Sequence, residues 1–134
     1  MTTFLIAEDN SVNRELLREV LEGRGHKVVE ACNGEEALRL LDESKPQILL
    51  LDLGMPVLDG YATVRKVREN PALAALPVLA VTAYAMQGDK EHILECGFDG
   101  YLSKPITPLL LFEELDRLLQ PRDGATSPVP LIGK

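Results

Sequence analysis

The sequence lacks the features of several large protein classes. No apolar run approaches the roughly 20 residues of a membrane-spanning helix, and no basic segment precedes an apolar one as in a secretory signal. The chain has 14 basic and 21 acidic residues, a net charge of −7, and no basic stripe to replace the counterions of nucleic-acid phosphates. We therefore expect a soluble protein that inserts into no membrane and binds no nucleic acid directly.

Cysteine is also scarce. Cys32 and Cys96 are far apart and have no metal-ligand spacing, and 134 residues can bury a core without disulfides. We expect both cysteines to be reduced, small, buried side chains in a cytoplasmic protein.

Short apolar runs alternate along the chain with longer segments of helical periodicity. This alternation is typical of repeated βα units, in which a parallel sheet carries helices on both faces. The predicted strands are Phe4–Ala7, Lys27–Ala31, Gln47–Leu51, Val78–Val81 and Gly100–Leu102.

Capping residues, glycines and prolines place five helices between and after these strands. The helices are predicted after Asn10-Ser11, after Asn33-Gly34, at about Leu58–Glu69, at about Met86–Glu95, and from Thr107-Pro108 to near Gln120. Residues 121–134 contain three prolines and two glycines and have no regular period. We therefore predict one domain at 1–120 and a flexible tail or linker at 121–134.

Polar residues that can bind ligands or react follow the carboxyl ends of four predicted strands. Glu8 and Asp9 follow the first strand, Asp52 the third, Thr82 the fourth and Lys104 the fifth. Parallel βα units bind ligands outside these strand ends. If the first strand lies beside the third, all five side chains meet in one pocket.

Three carboxylates in one pocket repel one another, so they need a hard cation to remain ionised together. Oxygen ligation by Glu8, Asp9 and Asp52 suits Mg²⁺, and the backbone carbonyl of Gly54 is placed to add a fourth oxygen. Without the metal, we expect at least one of the carboxyl groups to have a raised pKa.

With its charge balanced, Asp52 can act as a nucleophile toward phosphorus, because carboxylates form acyl phosphates when cations neutralise the transferred group. Lys104 and Mg²⁺ supply positive charge. The Thr82 hydroxyl and the Ala83 backbone N–H can bond phosphoryl oxygens. We therefore predict Asp52, Lys104 and Thr82 as the catalytic set and Ala83 as a phosphate-binding residue.

Taken together, the motifs over residues 3–120 resemble the receiver domain of two-component response regulators. The matching segments are Glu8-Asp9, Asp52 to Gly60 (DLGMPVLDG), Val81-Thr82-Ala83 and Tyr101 to Pro105 (YLSKP). Each segment is weak alone, but their order and spacing are specific. The resemblance implies an α/β fold with a doubly wound, five-stranded parallel sheet of flavodoxin-like order 2-1-3-4-5 and five helices on its two faces.

The resemblance also implies a function. Asp52 would take a phosphoryl group from a histidine kinase or phosphotransfer protein and later lose it to water, so the domain would be a switch rather than an enzyme. In that family the residue at the position of Thr82 bonds the phosphoryl group, and the aromatic at the position of Tyr101 turns inward. Helix 4, strand 5 and helix 5 would then present the signal to a downstream protein. A stand-alone regulator and a receiver from a hybrid kinase both fit the sequence.

A Mg²⁺-dependent phosphatase or phosphotransferase of the haloacid-dehalogenase type is the alternative, since it also forms an aspartyl phosphate. That class places its nucleophile after the first strand with a second aspartate two residues on, a pair that Glu8-Asp9-Asn10 does not supply. A flavin-binding module of the same topology is disfavoured because no Ser/Thr/Gly-rich phosphate loop follows the first strand.

Overall fold

A computed structural model describes residues 2–55, 57–83, 87–104 and 106–119, with the side chains of residues 87–89 left out. Five strands alternate with five α-helices, and one short 3₁₀ helix, Pro71–Leu73, precedes the fourth strand. The strands are β1 (Thr3–Ala7), β2 (Lys27–Ala31), β3 (Ile48–Asp52), β4 (Val78–Thr82) and β5 (Gly100–Ser103). The helices are α1 (Ser11–Glu22), α2 (Gly34–Ser44), α3 (Gly60–Glu69), α4 (Gln87–Glu95) and α5 (Pro108–Leu119).

All four strand pairings are parallel, and the sheet order is β2-β1-β3-β4-β5. The predicted doubly wound order is therefore confirmed. The chain reverses its winding direction between β1 and β3, so the crevice at the carboxyl ends of these two strands is where a ligand site is expected.

Two apolar layers cover the two faces of the sheet. Alternate side chains of β1 enter opposite layers, because successive residues of a strand point to opposite faces. Phe4 and Ile6 pack with residues of α1 and α5, whereas Leu5 and Ala7 pack with residues of α2, α3 and α4. All five residues of β3 and of β4 are buried, as expected for central strands covered on both sides.

Side-chain caps fix the starts of three helices. The side-chain oxygens of Asn10, Asn33 and Asp59 accept hydrogen bonds from backbone N–H groups three residues on, at 2.8–3.0 Å. Since Asp59 is extended and caps α3, that helix begins at Gly60 rather than near Leu58 as predicted.

The expectation that both cysteines are buried is wrong for Cys32, which is exposed, and Cys96 is half-buried. Strand β2 ends at Ala31, so Cys32 already lies in the turn before α2. Its backbone N–H donates to the Glu36 carboxylate at 2.6 Å. The apolar character of the Cys32 side chain was therefore a poor guide to its burial, because the turn sets its position.

Two of the sequence-based expectations lie outside the described residues. The tail predicted at 121–134 is one, and the start of the fourth helix at Met86 is the other; both stay predictions. Within the described ranges, no helix is both long and apolar enough to cross a membrane.

Candidate functional site

The predicted site residues lie together at the carboxyl edge of the sheet. Glu8 and Asp9 follow β1, Asp52 is the last residue of β3, Thr82 is the last of β4, and Lys104 directly follows β5. These side chains line one open cleft of about 480 Å³. The cleft is lined by Glu8, Asp9, Asn10, Asn13, Asp52, Leu53, Gly54, Tyr61, Thr82, Ala83 and Lys104.

Three carboxylates converge in this acidic cleft. One oxygen from each of Glu8, Asp9 and Asp52 lies within 4.8 Å of the other two. Glu8 and Asp52 are buried, whereas Asp9 is exposed at the mouth of the cleft. Two buried acids and one exposed acid leave an open side through which solvent and a ligand can enter.

The buried Glu8 carboxyl group has a raised pKa. Its Oε2 accepts a hydrogen bond from the Asn10 backbone N–H at 3.2 Å, while its buried Oε1 faces the Lys104 ammonium at 3.0 Å. The pKa of Glu8 is raised from 4.5 to about 6, chiefly by burial and in part by Asp52, while the bond to Lys104 opposes the shift. The expected raised carboxyl pKa is thus confirmed, and its site is Glu8.

Lys104 provides the positive charge of the cleft. Its Nζ lies 3.0 Å from Glu8 Oε1 and 3.4 Å from Asp52 Oδ1. Burial alone would lower the pKa of Lys104, but the bonds to Glu8 and the charge of Asp52 outweigh it and raise that pKa. The Lys104 backbone N–H donates to the Thr82 carbonyl at 2.8 Å, which ties the end of β5 to the end of β4.

Two glycines that follow Asp52 lie close to it, Gly54 beside its side chain and Gly60 beside its backbone carbonyl. The Gly54 N–H lies 3.4 Å from Asp52 Oδ1, at the long end of hydrogen bonding, and Gly54 itself is exposed. On the other side, Gly60 packs so closely that an added Cβ would lie 2.7 Å from the Asp52 carbonyl oxygen. Metal ligation by the Gly54 carbonyl stays a prediction.

Thr82 and Ala83 both border the cleft, whereas Tyr101 does not. Thr82 is buried and Ala83 is exposed, and both line the cleft. Tyr101 pairs with Ala80 in the neighbouring strand and lines a groove between α4 and α5. In this arrangement the tyrosine ring is half-buried outside the cleft.

Sequence reasoning missed four residues of the cleft wall, namely Asn10, Asn13, Leu53 and Tyr61. Asn13 lies three residues after Asn10, in the first turn of α1. Helical spacing therefore indicates that Asn13 is on the same side of the helix as Asn10. Tyr61 gave no such signal, because its role depends on how α3 turns toward the cleft. Its ring contacts the His92 ring at 5.0 Å between centroids, which connects the cleft wall to α4.

The donor set fits a hard divalent cation. Three carboxylates offer oxygen ligands within one small volume, and Lys104 lies beside two of them, Glu8 and Asp52. Mg²⁺ is bound through few carboxylates and keeps room for water or phosphate oxygens, as this open cleft allows. Glu8, Asp9 and Asp52 are therefore the residues that could hold Mg²⁺.

The geometry agrees with the family to which the sequence is similar. The sequence profile described as "Response regulator receiver domain" matches residues 4–116. The chain belongs to this family. It is therefore a receiver domain of two-component signalling, a regulatory class of protein.

Two relatives show the settings in which such receivers occur. The polar-differentiation response regulator DivK of Brucella anthropi is 39% identical over 103 residues, covering 77% of this chain and 84% of that protein. The hybrid signal transduction histidine kinase I of Dictyostelium discoideum is 41% identical over 119 residues. That match covers 84% of this chain but 7% of the kinase, so it spans a small part of a much larger protein.

A solved structure with the same fold carries a metal. The receiver domain of a sensor histidine kinase from Pseudomonas aeruginosa is 34% identical, with a TM-score of 0.81, over 87% of this chain and 96% of that one. Its structure has a magnesium ion coordinated in the active site cleft.

Proposed function

We propose that this receiver is a phosphorylation-dependent switch in which Asp52 accepts a phosphoryl group. The observation that carries the proposal is the position of Asp52, buried at the floor of the cleft, 3.4 Å from Lys104 and within 4.8 Å of two further carboxylates. The donor is the phosphohistidine of a histidine kinase or phosphotransfer protein. An Asp52 oxygen forms the new P–O bond as the P–N bond of the donor breaks, and the histidine keeps the electron pair.

The charges around Asp52 support this reaction. Glu8, Asp9, Asp52 and the Gly54 carbonyl are the proposed ligands of Mg²⁺, which when bound would neutralise charge on the carboxylates and the phosphoryl oxygens. Lys104 already faces Asp52 and can bond an oxygen of the phosphoryl group. Because Lys104 directly follows β5 and already lies beside Asp52, its charge needs little rearrangement to meet the group.

Thr82 and Ala83 supply the remaining polar contacts of the proposal. Thr82 and Ala83 line the cleft at the end of β4. We assign the Thr82 hydroxyl and the Ala83 N–H to oxygens of the phosphoryl group on Asp52. Thr82 then moves toward that group, and Tyr101 fills the space that it leaves.

The output surface of the proposal is the face formed by α4, β5 and α5. A groove on this face is lined by Tyr101 and by the exposed side chains of Leu94 and Leu110, with Glu113 and Glu114 at its side. A downstream protein that binds the Tyr101-inward state more tightly would gain affinity on phosphorylation. By linkage, the same protein would stabilise the phosphorylated state.

Exposed apolar side chains near the cleft favour a protein as the donor. Val12, in the first turn of α1, is 71% exposed, and Val57, in the turn after β3, is also 71% exposed. Val12 and Val57 are close in sequence to the cleft residues Asn13 and Gly54, so we assign them to the surface that a donor protein would contact. A small phosphate ester would gain little from them.

The enzyme alternative is less well supported. In a phosphatase of the haloacid-dehalogenase type, the nucleophile follows the first strand and a second aspartate stands two residues on. Here position 10 is Asn10, whose side chain caps α1. We therefore propose that the domain catalyses only its own phosphorylation and dephosphorylation, in the cytoplasm, where its kinase would act.

Intact-mass spectrometry after incubation with Mg²⁺ and acetyl phosphate tests this proposal. We expect a mass increase of one phosphoryl group in the wild type and none in Asp52→Asn or in the presence of a chelator. Asp42→Asn, which changes an exposed acid at the opposite edge of the sheet, is the matched control and should be labelled normally. Labelling of Asp52→Asn to the wild-type level, or no labelling by acetyl phosphate and by a panel of histidine kinases, would overturn it.

A further inference from the structure

A lysine of α4 lies over the ring of Tyr101. The Lys90 Nζ is 5.4 Å from the centroid of that ring, within the range of a cation–π contact. Lys90 and Tyr101 are both half-buried, so water only partly screens the contact. The contact joins α4 to β5 on the face proposed for output.

Among the described side chains of α4, from residue 90 to 95, Ile93 is fully buried and the His92 ring contacts the Tyr61 ring, while Leu94 is 47% exposed. Helix α5, in contrast, buries Leu111, Leu115 and Leu118 against the sheet. A single polar contact therefore contributes more to holding α4 in place on the sheet than it would for α5.

We infer that Lys90 is a positioning residue for Tyr101, holding its ring in the groove between α4 and α5 and so opposing its inward turn. This inference rests on the proposed function, because it concerns the regulation of the same switch. With the ring where the structure has it, the positive charge attracts the negative face of the ring. When the ring turns inward this attraction is lost, so Lys90 favours the unphosphorylated conformation.

The expected size of the effect follows from the strength of such contacts at partly exposed sites. Loss of the contact should change the ratio of the two conformations by about two- to fivefold. If the inward state is the minor one before phosphorylation, its population and the rate of labelling that depends on it rise by the same factor.

Three variants separate the charge of Lys90 from its bulk. Lys90→Met keeps the length and removes the charge, Lys90→Arg keeps the charge, and Lys66→Met removes an exposed lysine of α3 as the control. We expect acetyl phosphate to label Asp52 about two- to fivefold faster in Lys90→Met, and at the wild-type rate in Lys90→Arg and Lys66→Met.

Fluorine NMR reports on the ring itself. The chain has three tyrosines, so a fluorotyrosine-labelled protein gives three signals, and Tyr101→Phe assigns the one at position 101. In unphosphorylated Lys90→Met, we expect the Tyr101 signal to shift toward its position in the phosphorylated wild type. Lys90→Arg should restore the original position, which a loss of packing alone would not explain.

The failure of this inference is distinguishable from that of the proposed function. If the wild type is labelled on Asp52 but Lys90→Met matches it in rate and in the Tyr101 signal, only the role of Lys90 is overturned. The role is also overturned if Lys90→Arg behaves like Lys90→Met. If the wild type is never labelled, the proposed function itself fails.

Discussion

Lys104 lies closer to Glu8 than to Asp52, the proposed phosphoryl acceptor. Its Nζ is 3.0 Å from Glu8 Oε1 and 3.4 Å from Asp52 Oδ1. In the metal-free arrangement Lys104 thus balances the charge of two buried acids at once. A cation that binds Glu8 would take over part of this role and leave Lys104 freer to meet an incoming phosphoryl group.

Replacing Lys104 by methionine should therefore destabilise the metal-free protein. We expect the free energy of unfolding at neutral pH to fall by about 1–3 kcal/mol, because Glu8 and Asp52 lose their shared counter-ion while staying buried. Added Mg²⁺ should restore part of the loss. Urea unfolding with and without chelator measures both effects, and Lys66→Met should change stability by less than about 0.5 kcal/mol. An unchanged unfolding midpoint in chelator would contradict this role of Lys104.

The raised pKa of Glu8 predicts a dependence of stability on pH. Since burial raises this pKa from 4.5 to about 6, the stabilising contribution of the protonated form is full below 4.5 and is lost as the pH rises through about 6. Glu8→Gln imitates the protonated form. In chelator it should be more stable than the wild type at about pH 7.5, and the difference should shrink toward about pH 4.5.

Urea unfolding of both proteins across this pH range measures the difference, and Mg²⁺ supplies an internal check. With Mg²⁺ present the order should reverse at neutral pH, because an amide is a weaker ligand than a carboxylate. Glu15→Gln, an exposed change on α1, is the control and should show no such pH dependence. A stability difference between Glu8→Gln and wild type that stays constant with pH would contradict the assignment of the raised pKa.

The strand bounds were predictable to within one residue because burial leaves a direct trace in sequence, whereas the strand order was implied by the resemblance to receiver domains. The run from Ile48 to Leu51 is apolar at every position, and the structure buries it on both faces of the sheet. Helix starts were equally readable where Asn10 and Asn33 provide caps. The gathering of Glu8, Asp9 and Asp52 followed from topology alone, since parallel strands bring their carboxyl ends to one edge.

Other relationships depend on loop geometry and could not be read from residue types. Nothing in the sequence indicates that Lys104 contacts Glu8 more closely than Asp52, or that Tyr61 reaches the cleft wall. The contact between Lys90 and Tyr101 joins residues eleven positions apart on different elements. Such pairs are set by how a helix docks on the sheet, which hydrophobic periodicity defines only coarsely.

Arg68 should matter for stability but not for phosphoryl chemistry. Its guanidinium donates to the carbonyl oxygens of Gly97 at 2.9 Å and Leu76 at 2.8 Å, and to Asp99 Oδ2 at 2.9 Å. Arg68→Met should lower the free energy of unfolding by about 1–3 kcal/mol, because three half-buried acceptors lose a donor.

Denaturant unfolding measures this loss, with the exposed Arg65→Met on the same helix as the matched control. Labelling of Asp52 by acetyl phosphate at low temperature, where the variant stays folded, should proceed at the wild-type rate. A variant with wild-type stability would show that the Arg68 contacts contribute little. A loss of labelling in folded Arg68→Met would connect this arginine to the cleft.

Gly54 and Gly60 both lie close to the acceptor Asp52, but replacing each by alanine should affect stability to different extents. A Cβ on Gly60 would stand 2.7 Å from the Asp52 carbonyl oxygen and 2.8 Å from Leu53 Cα, whereas one on Gly54 would meet nothing within 4 Å. Because backbone atoms cannot turn aside like a side chain, Gly60→Ala should cost about 1–3 kcal/mol of stability and displace Asp52 from Lys104. Gly54→Ala should change stability by less than about 1 kcal/mol. Unfolding and labelling rates of the two variants check this contrast, and equal labelling by both would show that the backbone at Asp52 can shift without harm to the chemistry.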